Sequence, residues 1–322
     1  MKEEQNYTLG TEFHLLAFSS SGTDTYIIFM VLLLLYLQTI LGNLLIILLV
    51  NLDYRLHTPM YFFLCNLAAQ DIMLVSAILP KLMAATISGD TSISFNACLT
   101  QLFMFAICVD TDFFLLAVMA FDRYVAICIP LRYCLIMNPK LCILLVITPW
   151  MLYVCNGIYY CLLLSALSYC QSHDLNYIFC DIKTIMGLSC SDTTYIQTLI
   201  SVETVFVGFL PLVLTLTSYV CIIATILRIK SSAVRLKTFS SCSSHLTVVL
   251  LFCGTSLSLY VKPNSEDSTK LDRLLPLLYV GLVPMLNPIV YSLRNRQIWS
   301  ATKAVYGKFK SQILKIHFYI HM

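Results

Sequence analysis

Four carboxylates interrupt stretches that are otherwise apolar: Asp71, Asp110, Asp112 and Glu203. An ionisable group inside a bilayer is costly to keep, so each is a candidate for function. Two acids sharing a site either bind a cation or keep one proton between them. Asp110 and Asp112 are two residues apart, so on a helix they point about 200° away from one another and serve different surfaces. Asp122-Arg123-Tyr124 places an arginine beside an acid at the end of an apolar run. Taken alone, an arginine there is best read as snorkelling to the lipid headgroups. Among fourteen cysteines, Cys98, Cys170, Cys180 and Cys190 stand apart from ten that fall within apolar runs or at their ends, where a thiol serves as a small packing group. In an oxidising compartment the four make two disulfides, with three connectivities open. Zinc is the weaker reading, since His173 is the only nearby histidine and no short Cys pair exists. Neither H-E-x-x-H nor G-x-S-x-G occurs; Gly254-Thr255-Ser256-Leu257-Ser258 breaks the second at its last position, which argues against an enzyme.

The elements that must carry these groups follow from composition. Charged residues are 11% of 322 and hydrophobic residues 59%, against about 25% and ~45–50% in soluble domains. A soluble globule has no way to bury that much apolar surface, and a disordered chain is excluded by the same figures. Charge-free runs near the ~20 residues a spanning helix needs recur along the chain. Seven spans result, near 26–50, 59–84, 96–127, 141–164, 197–227, 239–261 and 273–293. They are long and continuously apolar, unlike the alternating strands of about ten residues in a membrane barrel. Internal prolines Pro149, Pro211, Pro284 and Pro288 disturb helices locally. Residues 1–24 carry no apolar core of a signal peptide, so the first span directs insertion.

Lys and Arg concentrate in cytoplasmic loops. With the N-terminus outside, fourteen of the twenty fall on the cytoplasmic side, and the C-terminus lies inside after seven spans. The glycosylation acceptor Asn6-Tyr7-Thr8 then sits on the outer side. In the tail, Trp299, Val305, Tyr306 and Phe309 face lipid while Lys303, Lys308 and Lys310 face headgroups, giving a short amphipathic helix within 294–322.

Motifs in most of these spans coincide with one family. Gly42-Asn43 lies in the first span, and Leu56-His57-Thr58-Pro59-Met60-Tyr61-Phe62 opens the second. Met119-Ala120-Phe121-Asp122-Arg123-Tyr124-Val125-Ala126-Ile127-Cys128 closes the third, followed by Pro130-Leu131-Arg132-Tyr133. Ser218-Tyr219 lies in the fifth, Lys237-Thr238-Phe239-Ser240-Ser241-Cys242-Ser243-Ser244-His245-Leu246 opens the sixth, and Pro284-Met285-Leu286-Asn287-Pro288-Ile289-Val290-Tyr291 lies in the seventh. Over nearly its whole length the sequence resembles the olfactory receptors, rhodopsin-like (class A) G-protein-coupled receptors.

The resemblance implies an all-α seven-helix membrane bundle in the plasma membrane. It pairs Cys98 with Cys180 and Cys170 with Cys190, forming a lid. It assigns the activation switch and G-protein contact to Asp122, Arg123, Tyr124, Tyr219, His245, Asn287, Pro288 and Tyr291. It nominates as the lining of a ligand cavity Leu102, Phe105, Ala106, Val109, Asp110, Ile182, Glu203, Val207, Cys253, Ser256, Leu257, Tyr260, Leu277 and Val280. It brings Asp71, Asp112 and Asn287 together as a sodium site. The family often has Glu where this chain has Asp112, which shortens the reach by one methylene; the alternative is a protonated Asp hydrogen-bonded to Asn43 or Asn287. Cys253 stands where an aromatic is frequent, and Phe105 where aminergic receptors carry an Asp. The implied function is binding of a small, largely apolar odorant and activation of a stimulatory G protein that raises cAMP, with membrane lipid as a further partner and no nucleic acid. Rivals are a class A receptor for a non-odorant small molecule and a transporter, against which no internal repeat is visible.

Overall fold

A computed structural model describes residues 12–15, 23–170, 174–175, 177–260, 276–294 and 297–305. Seven helices make the bundle: α1 (Thr23–Leu52), α2 (Pro59–Ser88), α3 (Phe95–Cys128), α4 (Pro139–Ser165), α5 (Thr194–Leu227), α6 (Ser232–Tyr260) and α7 (276–294). A shorter helix, α8, follows at 297–305. Helices α1 to α5 are each long and apolar enough to cross a membrane; thirty residues rise about 45 Å, against ~30 Å of hydrocarbon. Their outward faces carry large apolar side chains: Leu34, Leu41 and Leu48 on α1, and Phe206, Val213, Val220 and Leu227 on α5, recur every seven residues and are all about half exposed or more. In water such stripes would aggregate; in lipid they are the solvated surface.

Local chemistry sets the helix starts. Asn138 accepts a bond from the Leu141 N–H at 3.0 Å and Pro139 takes the first helical position, where its missing N–H costs nothing. Pro59 likewise takes the first helical position of α2, with Thr58 before it making no side-chain cap bond, and Gly89 closes the helix at φ 72°, a left-handed conformation that glycine adopts without strain. Pro211 and Pro284 each follow a stretch of wider π-type turn, Thr204–Phe209 and Leu278–Leu282. Proline lacks a donor and crowds the carbonyl four residues back, and a widened turn relieves both. Helix α6 begins at Ser232, seven residues before its sequence-based start, so most of the basic segment 228–237 is helix rather than loop.

Helix α3 packs against α2, α4, α5 and α6 and forms the axis of the bundle. At one end a small sheet joins three distant segments: β1 (Glu12–Leu15) pairs antiparallel with β2 (Ser92–Ser94) and parallel with β3 (Asp174–Leu175). Phe13, fully buried, meets Phe95 and Tyr169 there. The sequence predicts only an outer tail before α1; the alternation Glu12-Phe13-His14-Leu15, exposed and buried in turn, is the two-residue period of a strand.

Candidate functional site

Two disulfides pin the loop after α4: Cys98–Cys180 ties it to the start of α3, and Cys170–Cys190 closes it on itself. The Cys180 N–H donates to Gln101 Oε1 at 2.8 Å, and Gln101 Nε2 donates to the Ala77 carbonyl at 3.0 Å, so α2, α3 and the loop are joined by one buried amide. Phe179 packs against Phe105 with centroids 4.7 Å apart. The short helix Ile182–Gly187 is capped by Asp181, which accepts from the Lys183 N–H at 3.0 Å. Burial raises the Asp181 carboxyl above the ordinary range, and the backbone bond only partly offsets this.

Beneath this lid is a cavity of about 300 Å³. Its walls include Leu102, Phe105, Ala106, Val109 and Asp110 of α3, Ile182 of the lid, Glu203 and Val207 of α5, and Cys253 of α6. Leu277 and Val280, named from sequence, do not line it. The cavity opens toward α4 and α5, whereas Val280 is fully buried in the core cluster, with Leu277 packed against that cluster. The side chains of Ser256, Leu257 and Tyr260 lie outside the described residues, as do Asn6, Tyr306, Lys308, Phe309 and Lys310. Sequence reasoning missed the α4 wall. Asn156 Nδ2 donates to Glu203 Oε1, the Tyr160 hydroxyl lies within bonding reach of the same carboxylate, and Gly157 lets Phe103 approach closely. A lone asparagine in an apolar span was the available signal for Asn156; Tyr160 had none.

Midway along the bundle, Asn287 Nδ2 donates to Asp71 Oδ2 at 2.9 Å. Asp112 is buried close enough to Asp71 for their charges to oppose, and its Oδ1 has no hydrogen-bond partner. Asn43 Nδ2 donates to the carbonyls of Thr39 (3.0 Å) and Pro284 (3.2 Å), and its Oδ1 is buried without a hydrogen-bond partner. Hard oxygen donors with one orphaned oxygen suit a small cation. Among the described residues no group of three or more His, Cys, Asp or Glu assembles a metal site.

At the far end of α3, Arg123 holds Asp122 through Nη2 at 2.5 Å and Nε at 3.0 Å. Asp122 is fully buried, and its other oxygen accepts from the Tyr133 hydroxyl at 2.7 Å. Tyr133, in the turn after α3, was not singled out as a switch residue; burial and the Asp122 charge push its phenol pKa up. His245 does not face outward beside the basic segment. It is fully buried, its Nδ1 2.6 Å from the Tyr219 hydroxyl and its ring stacked on that of Tyr219. The Tyr291 hydroxyl is buried without a hydrogen-bond partner. In α8, Ile298 and Ala301 are the buried residues, Trp299 is exposed beneath Lys303, and Gln297 accepts from Tyr61 at 2.6 Å.

A family model described as olfactory receptor matches residues 32–308. Olfactory receptor 1 of Rattus norvegicus is 42% identical over 310 residues, covering 96% of this chain and 99% of that protein. Olfactory receptor 1G1 of Gorilla gorilla gorilla is 43% identical over 301 residues (94% and 96%), and olfactory receptor 1F1 of Homo sapiens 43% over 303 (94% and 97%). The chain therefore belongs to the olfactory receptor family, membrane-embedded G-protein-coupled receptors rather than enzymes.

Proposed function

We propose that this receptor binds a small odorant in the cavity under the disulfide-pinned lid and activates a stimulatory G protein, raising cAMP. The observation that carries this reading is the shared axis: α3 lines the cavity with Phe105, Val109 and Asp110 and ends in the Asp122–Arg123 pair. A cavity of about 300 Å³ lies at the lower end of the ~300–1,000 Å³ range of ligand sites, which suits a small ligand. A ligand that binds one arrangement of α3, α5 and α6 better than another shifts the population toward it. In the activated arrangement Arg123 leaves Asp122 and faces the G protein, with Tyr219 and Tyr291 as its new neighbours. The charge distribution supports an orientation with the N-terminus and the lid outside and the Arg123 end in the cytoplasm of a plasma-membrane protein, one in which Asn6 is open to glycosylation. Arg123→Ala is expected to abolish odorant-evoked cAMP in cells that display it at the surface; a full response in that variant would overturn the assignment.

Asp71, Asp112 and Asn287 are also proposed to hold a sodium ion in the resting receptor. The ion would place a positive charge between two acids that otherwise oppose one another. Asp112→Asn is expected to remove the sodium dependence of basal signalling. Sodium dependence unchanged in that variant sinks the proposal.

A further inference from the structure

The cavity has a charge asymmetry that points to a ligand class. Three carboxyl groups line it, Asp110, Asp181 and Glu203, and among the described residues no Lys, Arg or His does. The three are not equivalent. Glu203 is already served by Asn156 and Tyr160. Asp181 caps the lid helix. Asp110 lies in the cavity wall, partly buried among α3 and its neighbours and within electrostatic reach of Glu203, and no group among the described residues hydrogen-bonds to it. A carboxylate taken out of water needs an opposite charge or strong donors to remain there. Among the described residues the protein supplies neither, and the open side of the group is the cavity. The remaining wall is apolar and aromatic, with Phe103, Phe105, Phe113 and Phe209 around it, and ring faces attract a cation.

Resting on the reading of this cavity as the ligand site, we propose that the receptor selects small protonated amines with an apolar body, the ammonium bonded to Asp110 and steadied by the Glu203 charge. Asp110 lies five residues beyond Phe105 on α3, about 7.5 Å deeper along the helix, so the ammonium sits at the cavity floor and the hydrocarbon body rises toward the lid. A carboxylic acid of the same length meets three like groups and, among the described residues, no base, which is the repulsive half of the selectivity.

The test uses the full chain with hexylamine, hexanol and hexanoate. Cells displaying the epitope-tagged receptor are read by second messenger, and the detergent-purified receptor is read by the shift in its thermal unfolding. Hexylamine is expected to signal and to raise the melting temperature, and hexanoate to do neither. Asp110→Asn raises the half-maximal hexylamine concentration on the order of 100-fold and affects hexanol far less, Glu203→Gln on the order of 10-fold, as for loss of one partner of a buried charge pair. Asp110→Glu restores the amine response. The proposal is overturned if hexanoate stabilises as well as hexylamine does, if hexylamine gives no shift, or if Asp110→Asn leaves that shift intact. Stabilisation by hexylamine that depends on Asp110, without any messenger signal, keeps the amine site and removes the coupling assignment. A hexanol signal with no hexylamine effect does the reverse.

Discussion

The Asp122–Arg123 pair, proposed above as the resting contact that activation breaks, has a third member in Tyr133. A lone Asp122–Arg123 pair between adjacent residues on one helix leaves the second carboxylate oxygen to find its own partner. The Tyr133 hydroxyl fills that place at 2.7 Å, so the acid is held from α3 and from the following turn at once. A hydrogen bond to a charged group contributes about 1.5–3 kcal/mol. Tyr133→Phe is therefore expected to weaken the resting arrangement and raise ligand-independent signalling several-fold at equal surface expression. Basal cAMP in that variant at or below the parent level would show that the bond does not hold the resting state. The motif Asp122-Arg123-Tyr124 was legible from residue order, whereas Tyr133 was not, because its contact depends on how the turn after α3 folds back.

At the scale of elements, α1 and α7 meet where glycine faces proline. A Cβ placed on Gly42 would stand 2.8 Å from Pro288 Cγ, closer than real side chains approach. The next residue, Asn43, donates to the Pro284 carbonyl across the same interface. Small residues allow this backbone proximity inside a membrane, where helices associate by packing rather than by exclusion of water. Gly42→Ala forces the helices apart and is expected to lower stability by about 1–3 kcal/mol, read as a reduced unfolding temperature of the purified receptor. A melting temperature equal to the parent's would mean that α7 yields without cost. Sequence alone marked Gly42-Asn43 and Asn287-Pro288 as motifs in separate spans. Their contact, and the widened turn Leu278–Leu282 just before Pro284, required the helices to be placed.

For the molecule as a whole, the lid end is held by more than its disulfides. Strand β1 lies between β2 and β3, joining the segment before α1 to the α2–α3 turn and the loop after α4. Phe13 is its anchor, wholly buried against Phe95 and Tyr169. Phe13→Ala is expected to cost about 3–5 kcal/mol locally and to reduce surface expression while leaving both disulfides formed. Wild-type expression and melting behaviour would show the strand to be dispensable. The same end joins the amine proposal to the fold, because the lid contributes Asp181 and Ile182 to the cavity it covers.

Sparse charge and long apolar runs determined, without coordinates, that the chain is a helical membrane bundle, since a bilayer leaves a continuous apolar segment few other ways to satisfy its backbone. Residue order likewise marked the acids and the Asp122-Arg123 pair, and the family resemblance nominated most of the cavity wall on α3 but only Glu203 and Val207 of the wall on α5. Only the tertiary structure decided which groups meet. Asn156 and Tyr160 of α4 serve Glu203, Asp110 is left open to the cavity, Val280 turns into the core, and His245 is buried on Tyr219. The reason is rotational. Composition selects a helix that spans, but in a segment apolar on every side it does not select which face turns inward; that is settled by close packing against neighbours far away in the chain.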